Sequence, residues 1–142
     1  AWQGHHRPLN ALDILAAVLM AGFILLETAA DQQQWNFQQE KRRRLRTGEP
    51  LGGKYARGFC STGLWGRMRH PNYAAEQAIW LSFYLFSVAA TGRWLNWSLA
   101  GGILLVLLFL GSSDFSEKIS AEKYPGYAAY QQLVPRFWPR VW

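Results

Sequence analysis

The chain has 142 residues, half of them apolar, with eight tryptophans, one cysteine and a formal net charge of +6. That length suits one domain of ordinary size, and a lone Cys60 excludes both a disulfide framework and a thiol metal site. Mean hydropathy is near neutral only because apolar blocks alternate with basic stretches, a segregation that points to membrane topology and away from nucleic acid.

At the N-terminus, His5 and His6 have no ligand partner at helical spacing and read as solvated. No cleavable signal peptide is expected, since the start lacks a basic n-region and a small-residue cleavage site. The chain opens on Ala1 without an initiator Met, so it is expected to be the C-terminal portion of a longer protein.

Residues 9–30 form the first apolar block, broken by Asp13 and Glu27. Glu27 and Asp31 are i, i+4 and share a helix face. Asp31 falls at the block's boundary, where an acid needs no special reason. Glu27 lies deeper, where a carboxylate is costly unless it faces protein or water. It reads either as a side chain reaching interfacial water or as half of a polar site.

Residues 31–73 form a long polar connection. Its first half is compatible with a helix, which Gly48 and Pro50 stop; the second half is a Gly-rich loop. KRRRLR is a solvated or headgroup-binding run, worth about 1 kcal/mol per residue near an anionic leaflet. Arg46 stands apart, directly before Thr47 and Gly48.

The connection ends in GLWGRMRHPNYAAE, residues 63–76. Pro71 suits the first turn of the next helix, where its missing N–H costs nothing. His70 then stands at the helix entrance with Arg67 and Arg69 just upstream, and Tyr73 follows. Free N–H groups, a positive dipole end and two arginines predict an anion site. Asn72 and Glu76 are i, i+4 on one face, an amide and a carboxylate one turn further in.

Apolar blocks at 74–90 and 95–111 follow, and with 9–30 they make three runs of about 17–25 residues, the length of a bilayer span. Tyr84 is the mid-membrane hydroxyl of the second block, expected to pack as an ordinary aromatic. The tail, 112–142, is polar and then aromatic. Tyr124, Tyr127 and Tyr130 would line one side of a short helix starting at Pro125, either as interfacial anchors or as part of a site. Thirteen basic residues lie in the 31–73 loop and the tail, against Arg7 and Arg93 on the other side. The positive-inside rule puts the loop and C-terminus in the cytoplasm, with Trp2, Trp94 and Trp97 at the opposite interface. The expected fold is thus an all-α polytopic membrane bundle of about three transmembrane helices, a cytoplasmic loop and an amphipathic C-terminal segment, placed in a bacterial inner membrane.

GLWGRMRHPNYAAE before an apolar span, followed by EKYPGYAAYQQLVPRFWP, resembles the C-terminal half of the steroid 5-alpha-reductase family. The likeness is greatest to bacterial members of unassigned substrate, in which ETAADQQ also has a counterpart, and it covers residues 20–139. The RHP-x-Y element is shared more distantly with membrane methyltransferases of isoprenylcysteines and phospholipids. The resemblance implies NADPH-dependent reduction of a C=C bond conjugated to a carbonyl in a lipid-like ketone, with this chain supplying the cofactor half. It implies cofactor-side roles for Glu27, Asp31 and Arg46, for Asn72 and Glu76 on the nicotinamide, and for Glu117, Tyr124 and Tyr130 in the tail that closes over it; Arg69, His70 and Tyr73 at the helix entrance join them as expected cofactor-binding residues. The chain departs from the animal steroid reductases at Glu27, where they carry asparagine, and at Ser112 and Ser113, where they carry an Arg/His pair.

The expected partners are a lipid-soluble small molecule and membrane lipids, with no nucleic acid and no metal; no residue is assigned as the catalytic donor. The alternatives are an S-adenosylmethionine-dependent membrane methyltransferase, and a non-catalytic membrane module whose basic loop binds anionic lipid.

Overall fold

A computed structural model describes residues 8–139. The readings given above for Trp2, His5, His6, Arg7 and Arg140 lie outside these residues. The described chain is all-helical: α1 (Ala11–Thr47), α2 (Pro71–Thr91), α3 (Ser98–Lys123) and α4 (Tyr127–Leu133), with 3-10 turns at Gly53–Tyr55 and Gly63–Gly66.

Asp13, an anomaly in an apolar block, closes a capping box at the start of α1. Its carboxylate accepts the Asn10 N–H at 2.9 Å, while the Asn10 side chain accepts the N–H groups of Leu12 and Asp13. The predicted stop also holds: Gly48 ends the helix in the left-handed region at φ 72°. With 37 residues, α1 is about 55 Å long, nearly twice a bilayer core, so the block at 9–30 and the polar segment after it are one continuous rod. α3 likewise runs past residue 111 to Lys123.

Two helices, α1 and α3, are long and apolar enough to cross a membrane, and only 6% of each apolar stretch is buried. Ile14, Leu15, Val18 and Leu25 of α1 and Ile103, Leu104, Leu107 and Leu108 of α3 are all more than half or about half exposed, unlike the side chains of a soluble core helix. The third expected span differs. α2 has the length, 21 residues, but Asn72, Glu76 and Gln77 in its first two turns dilute its apolar character.

α2 packs between α1 and α3. Its buried Pro71, Ala75, Ser82 and Ala89 are small, as are the fully buried Ala16 and Ala30 of α1, which lets the backbones approach closely. The loop folds back onto α1. Trp65 donates its indole N–H to the Ala30 carbonyl at 3.0 Å, Gln33 accepts the Leu64 N–H at 2.9 Å, and Tyr55 stacks on Phe37. Gly58 needs its glycine twice over: its φ is +78°, and a Cβ would lie 2.9 Å from the Tyr124 ring. At the far end, Trp94 and Trp97 are exposed, and the Tyr84 hydroxyl donates to the Trp94 carbonyl, as expected of a packing residue.

The tyrosine row is corrected. α4 begins at Tyr127, two residues after Pro125, so Tyr124 sits outside it as the C-cap of α3. Tyr127 and Tyr130 are not interfacial anchors: they are buried with Phe59 and Val134 in an aromatic core, with Tyr124 against its edge. KRRRLR is corrected in part. Arg43 bridges Glu40 and Glu49, and Arg44 bonds Glu40, which leaves Lys41, Arg42 and Arg46 without an ion-pair partner among the described residues, Lys41 donating instead to the Gly58 carbonyl and the Tyr124 hydroxyl.

Candidate functional site

The helical spacing of four puts Glu27 with Asp31 on α1 and Asn72 with Glu76 on α2, and the antiparallel packing sets the pairs opposite one another. Asn72 Nδ2 donates to Asp31 Oδ1 at 3.1 Å, and the Glu27 carboxyl lies beside that of Glu76. Trp80, one turn on, donates its indole N–H to Glu76 Oε1 at 2.9 Å. Four residues singled out separately in the sequence thus form a two-rung polar ladder at one helix crossing. Two neighbouring acids are stabilised by a proton shared between them or by a donor from outside, and Trp80 supplies one such donor to Glu76.

The second cluster revises the helix-mouth anion site. Arg69 does not face an open mouth. Its Nε donates to Glu117 Oε1 at 2.7 Å, and its Nη1 donates to the carbonyls of Gln131 at 2.7 Å and Val134 at 2.5 Å. His70 Nε2 is 2.8 Å from the same Glu117 oxygen, and Gln131 Nε2 donates to Glu117 Oε2 at 2.8 Å. Arg136 adds a bridge to Asp114 at 2.7 Å. The backbone N–H groups of Arg69 and His70 donate to the Pro135 and Arg136 carbonyls, and the Tyr73 N–H is taken by Asn72 Oδ1. The expected free donors are therefore spent on closing the tail over α2.

Glu117 is 3% exposed. Burial disfavours its charge, but the bonds from Arg69, Gln131 and His70 outweigh that and hold its carboxyl below the ordinary range. Burial likewise lowers the His70 imidazole, against the pull of Glu117, so His70 is neutral at pH 7 and donates through Nε2–H. Glu117, Arg69 and His70 thus bond to one another and hold the tail against α2, while Arg69 and His70 also line the cavity described below.

Tyr124 accepts from Lys41 Nζ at 3.1 Å, and the Tyr130 hydroxyl donates to the Trp65 carbonyl. Burial pushes both core phenols up, Tyr127 to about 12, so neither is an acid at neutral pH. Arg46 is exposed at the end of α1, about 22 Å along the axis from Asp31. One small group cannot touch both.

Between these clusters lies a cavity of about 240 Å³, bounded by α1, the loop, the RHPNY turn, α3 and α4. Arg69, His70, Asn72, Tyr73 and Tyr130 line it, as predicted site residues, but so do Gln34, Ser116, Ser120 and Tyr127, which the site reading missed. Gln34 was detectable: it lies one heptad after Glu27 and three residues after Asp31, on their face. Its Oε1 is fully buried and has no hydrogen-bond partner. A second cleft, about 490 Å³ and almost wholly apolar, lies between α1 and α3 over the Ala74, Ala75 and Ala78 stripe of α2, with Phe137 and Trp138 at one end. Its one polar liner, Gln77, is satisfied by the Tyr73 carbonyl.

Residues 1–134 match the family described as "Protein of unknown function (DUF1295)". The chain is also 43% identical over 144 residues to "Uncharacterized protein C594.04c" of Schizosaccharomyces pombe, covering 97% of this chain and 42% of that protein. It therefore spans less than half the length of that relative. No solved structure matches this chain.

Proposed function

The chain belongs to the DUF1295 family, and from the polar ladder at its α1–α2 crossing we propose that it is the cofactor-binding half of a membrane reductase that uses NADPH to reduce a conjugated C=C bond in a lipid-like ketone. The single observation behind this reading is that ladder: Glu27, Asp31, Asn72 and Glu76, the residues to which the steroid-reductase resemblance gives cofactor roles, meet in space as two rungs. An amide and facing carboxyls suit a carboxamide and ribose hydroxyls. The orphaned Gln34 acceptor adds a further polar contact.

Reduced nicotinamide, when bound, supplies the hydride. The protein's part is to bind, orient and exclude water. Arg46, Arg57 and Arg67, exposed and without ion-pair partners among the described residues, are the cations for phosphates. The apolar cleft suits the body of a lipid-soluble substrate, with the Gln77 amide N–H turned to the Tyr73 carbonyl. Tyr84 is committed to Trp94, so the donor to the substrate carbonyl is expected from chain beyond these residues. The 142 residues alone should therefore bind NADPH yet reduce no conjugated ketone.

One observation favours S-adenosylmethionine-dependent methyl transfer as a second reading. With Arg69 consumed by Glu117, fixed positive charge at the helix mouth is less than a polyphosphate site would be built with. Parallel titration with both cofactors separates the two.

The same account places the loop and tail in the cytoplasm. A Cys introduced at the exposed Trp97 should react with an impermeant thiol reagent in intact cells, while one at the exposed Gln132 should not. The reverse pattern would overturn the orientation.

A further inference from the structure

The least explained atom of the polar region is Gln34 Oε1. A buried acceptor without a donor forfeits its hydration and gains nothing in return, and native structures keep few such atoms. Gln34 lines a cavity of about 240 Å³, which is smaller than the roughly 300–1,000 Å³ of whole small-molecule sites. The cavity has the size of one ring-bearing moiety. Its walls carry the aromatic rings of Phe59, Trp65 and Tyr73, and its polar groups include the hydroxyls of Ser116, Ser120, Tyr73 and Tyr127. The missing partner is thus a donor carried on a planar ring.

We propose that Gln34 is a specificity-determining residue that accepts a hydrogen bond from the NH₂ group of a planar heteroaromatic ring held in this cavity. The inference deepens the proposed function and rests on its cofactor, which carries two such groups: the adenine amino group and the nicotinamide carboxamide. Tyr130 is tied to Trp65 and His70 to Glu117, and among the described residues Gln34 Oε1 is the one fully buried side-chain polar atom left without a partner.

The test is binding, measured by titration on the full chain in detergent micelles. NADPH is compared with its hypoxanthine analogue, which lacks the adenine amino group, and with its nicotinic acid analogue, which lacks the carboxamide NH₂. One of the two should bind at least about tenfold more weakly than NADPH, and which one identifies the ring. Gln34→Leu should weaken NADPH to the level of that analogue and abolish the difference between them. Gln34→Glu, which keeps an acceptor, should preserve the difference and controls for folding. Equal binding of all three ligands by the unaltered chain, or discrimination that survives Gln34→Leu, overturns the proposal and leaves the cavity to water. If NADPH does not bind at all, the reductase reading fails, and adenosine against inosine decides this one: a preference for adenosine that Gln34→Leu removes supports it, and binding of neither sinks it.

Discussion

Glu117→Ala should destabilise the chain by about 3–5 kcal/mol, the cost of leaving a buried charge without its partner. Removing the carboxylate strands the Arg69 guanidinium, whose side chain is 11% exposed, and takes the bonding partner from His70 and Gln131. It also loosens the tail, because Arg69 is the group that grips the Gln131 and Val134 carbonyls. Glu117→Gln, which can still accept from Arg69, should cost less. Glu122→Ala, on the exposed side of the same helix, should change stability by no more than about 0.5 kcal/mol. Thermal unfolding in detergent checks the order, and equal effects at positions 117 and 122 would remove the knot from the account.

The same knot sets a pH dependence. The folded pKa of Glu117 lies below its unfolded value of 4.5, so its contribution is present above 4.5 and is lost as pH falls through the folded value. The folded pKa of His70 lies below 6.5, so the unfolded chain takes up a proton first as pH drops past 6.5. Both groups make acid destabilising. Stability should fall from about pH 6.5 downward, and His70→Asn should remove the upper part of that fall.

The second large effect concerns the ladder. Glu76→Ala should weaken NADPH binding by at least about tenfold, because it removes one wall of the inner rung and the partner of Glu27 and Trp80 together. Arg43→Ala should change binding by less than about twofold, since Arg43 is already paired with Glu40 and Glu49 on an exposed surface and single surface charges contribute little. Asn72→Leu should resemble Glu76→Ala in direction. Equal losses at Glu76 and Arg43 would mean that diffuse charge, and not a directed site, holds the cofactor.

What could be read from the sequence follows the range of the interactions. Gly48 and Pro71 act within one turn of themselves, so the end of α1 and the start of α2 were legible, as was the polar face shared by Glu27 and Asp31. The pairing of that face with Asn72 and Glu76 needed the register of two helices across a 41-residue separation from Asp31 to Asn72, which no local pattern carries. Arg69 of the RHPNY turn looked free for the same reason. The carboxylate that neutralises Arg69 lies 48 residues away on α3. Tyr127 and Tyr130 have the amphipathic chemistry of interfacial anchors, and only their packing on Phe59, a loop residue, makes them core. The face of Gln34 was legible from its spacing to Glu27 and Asp31, but its distinction was not: it is the last of three consecutive glutamines, and what sets it apart is a buried atom, not a residue type.

The central claim is that the polar ladder and the cavity beside it hold a reduced nicotinamide dinucleotide. Titration of the purified chain with NADPH, NADH and S-adenosylmethionine side by side tests it most directly. Saturable binding of NADPH, tighter than that of the other two and weakened by Glu76→Ala, is the result the account predicts. Saturable binding of S-adenosylmethionine with none of NADPH would contradict it and assign the ladder to methyl transfer.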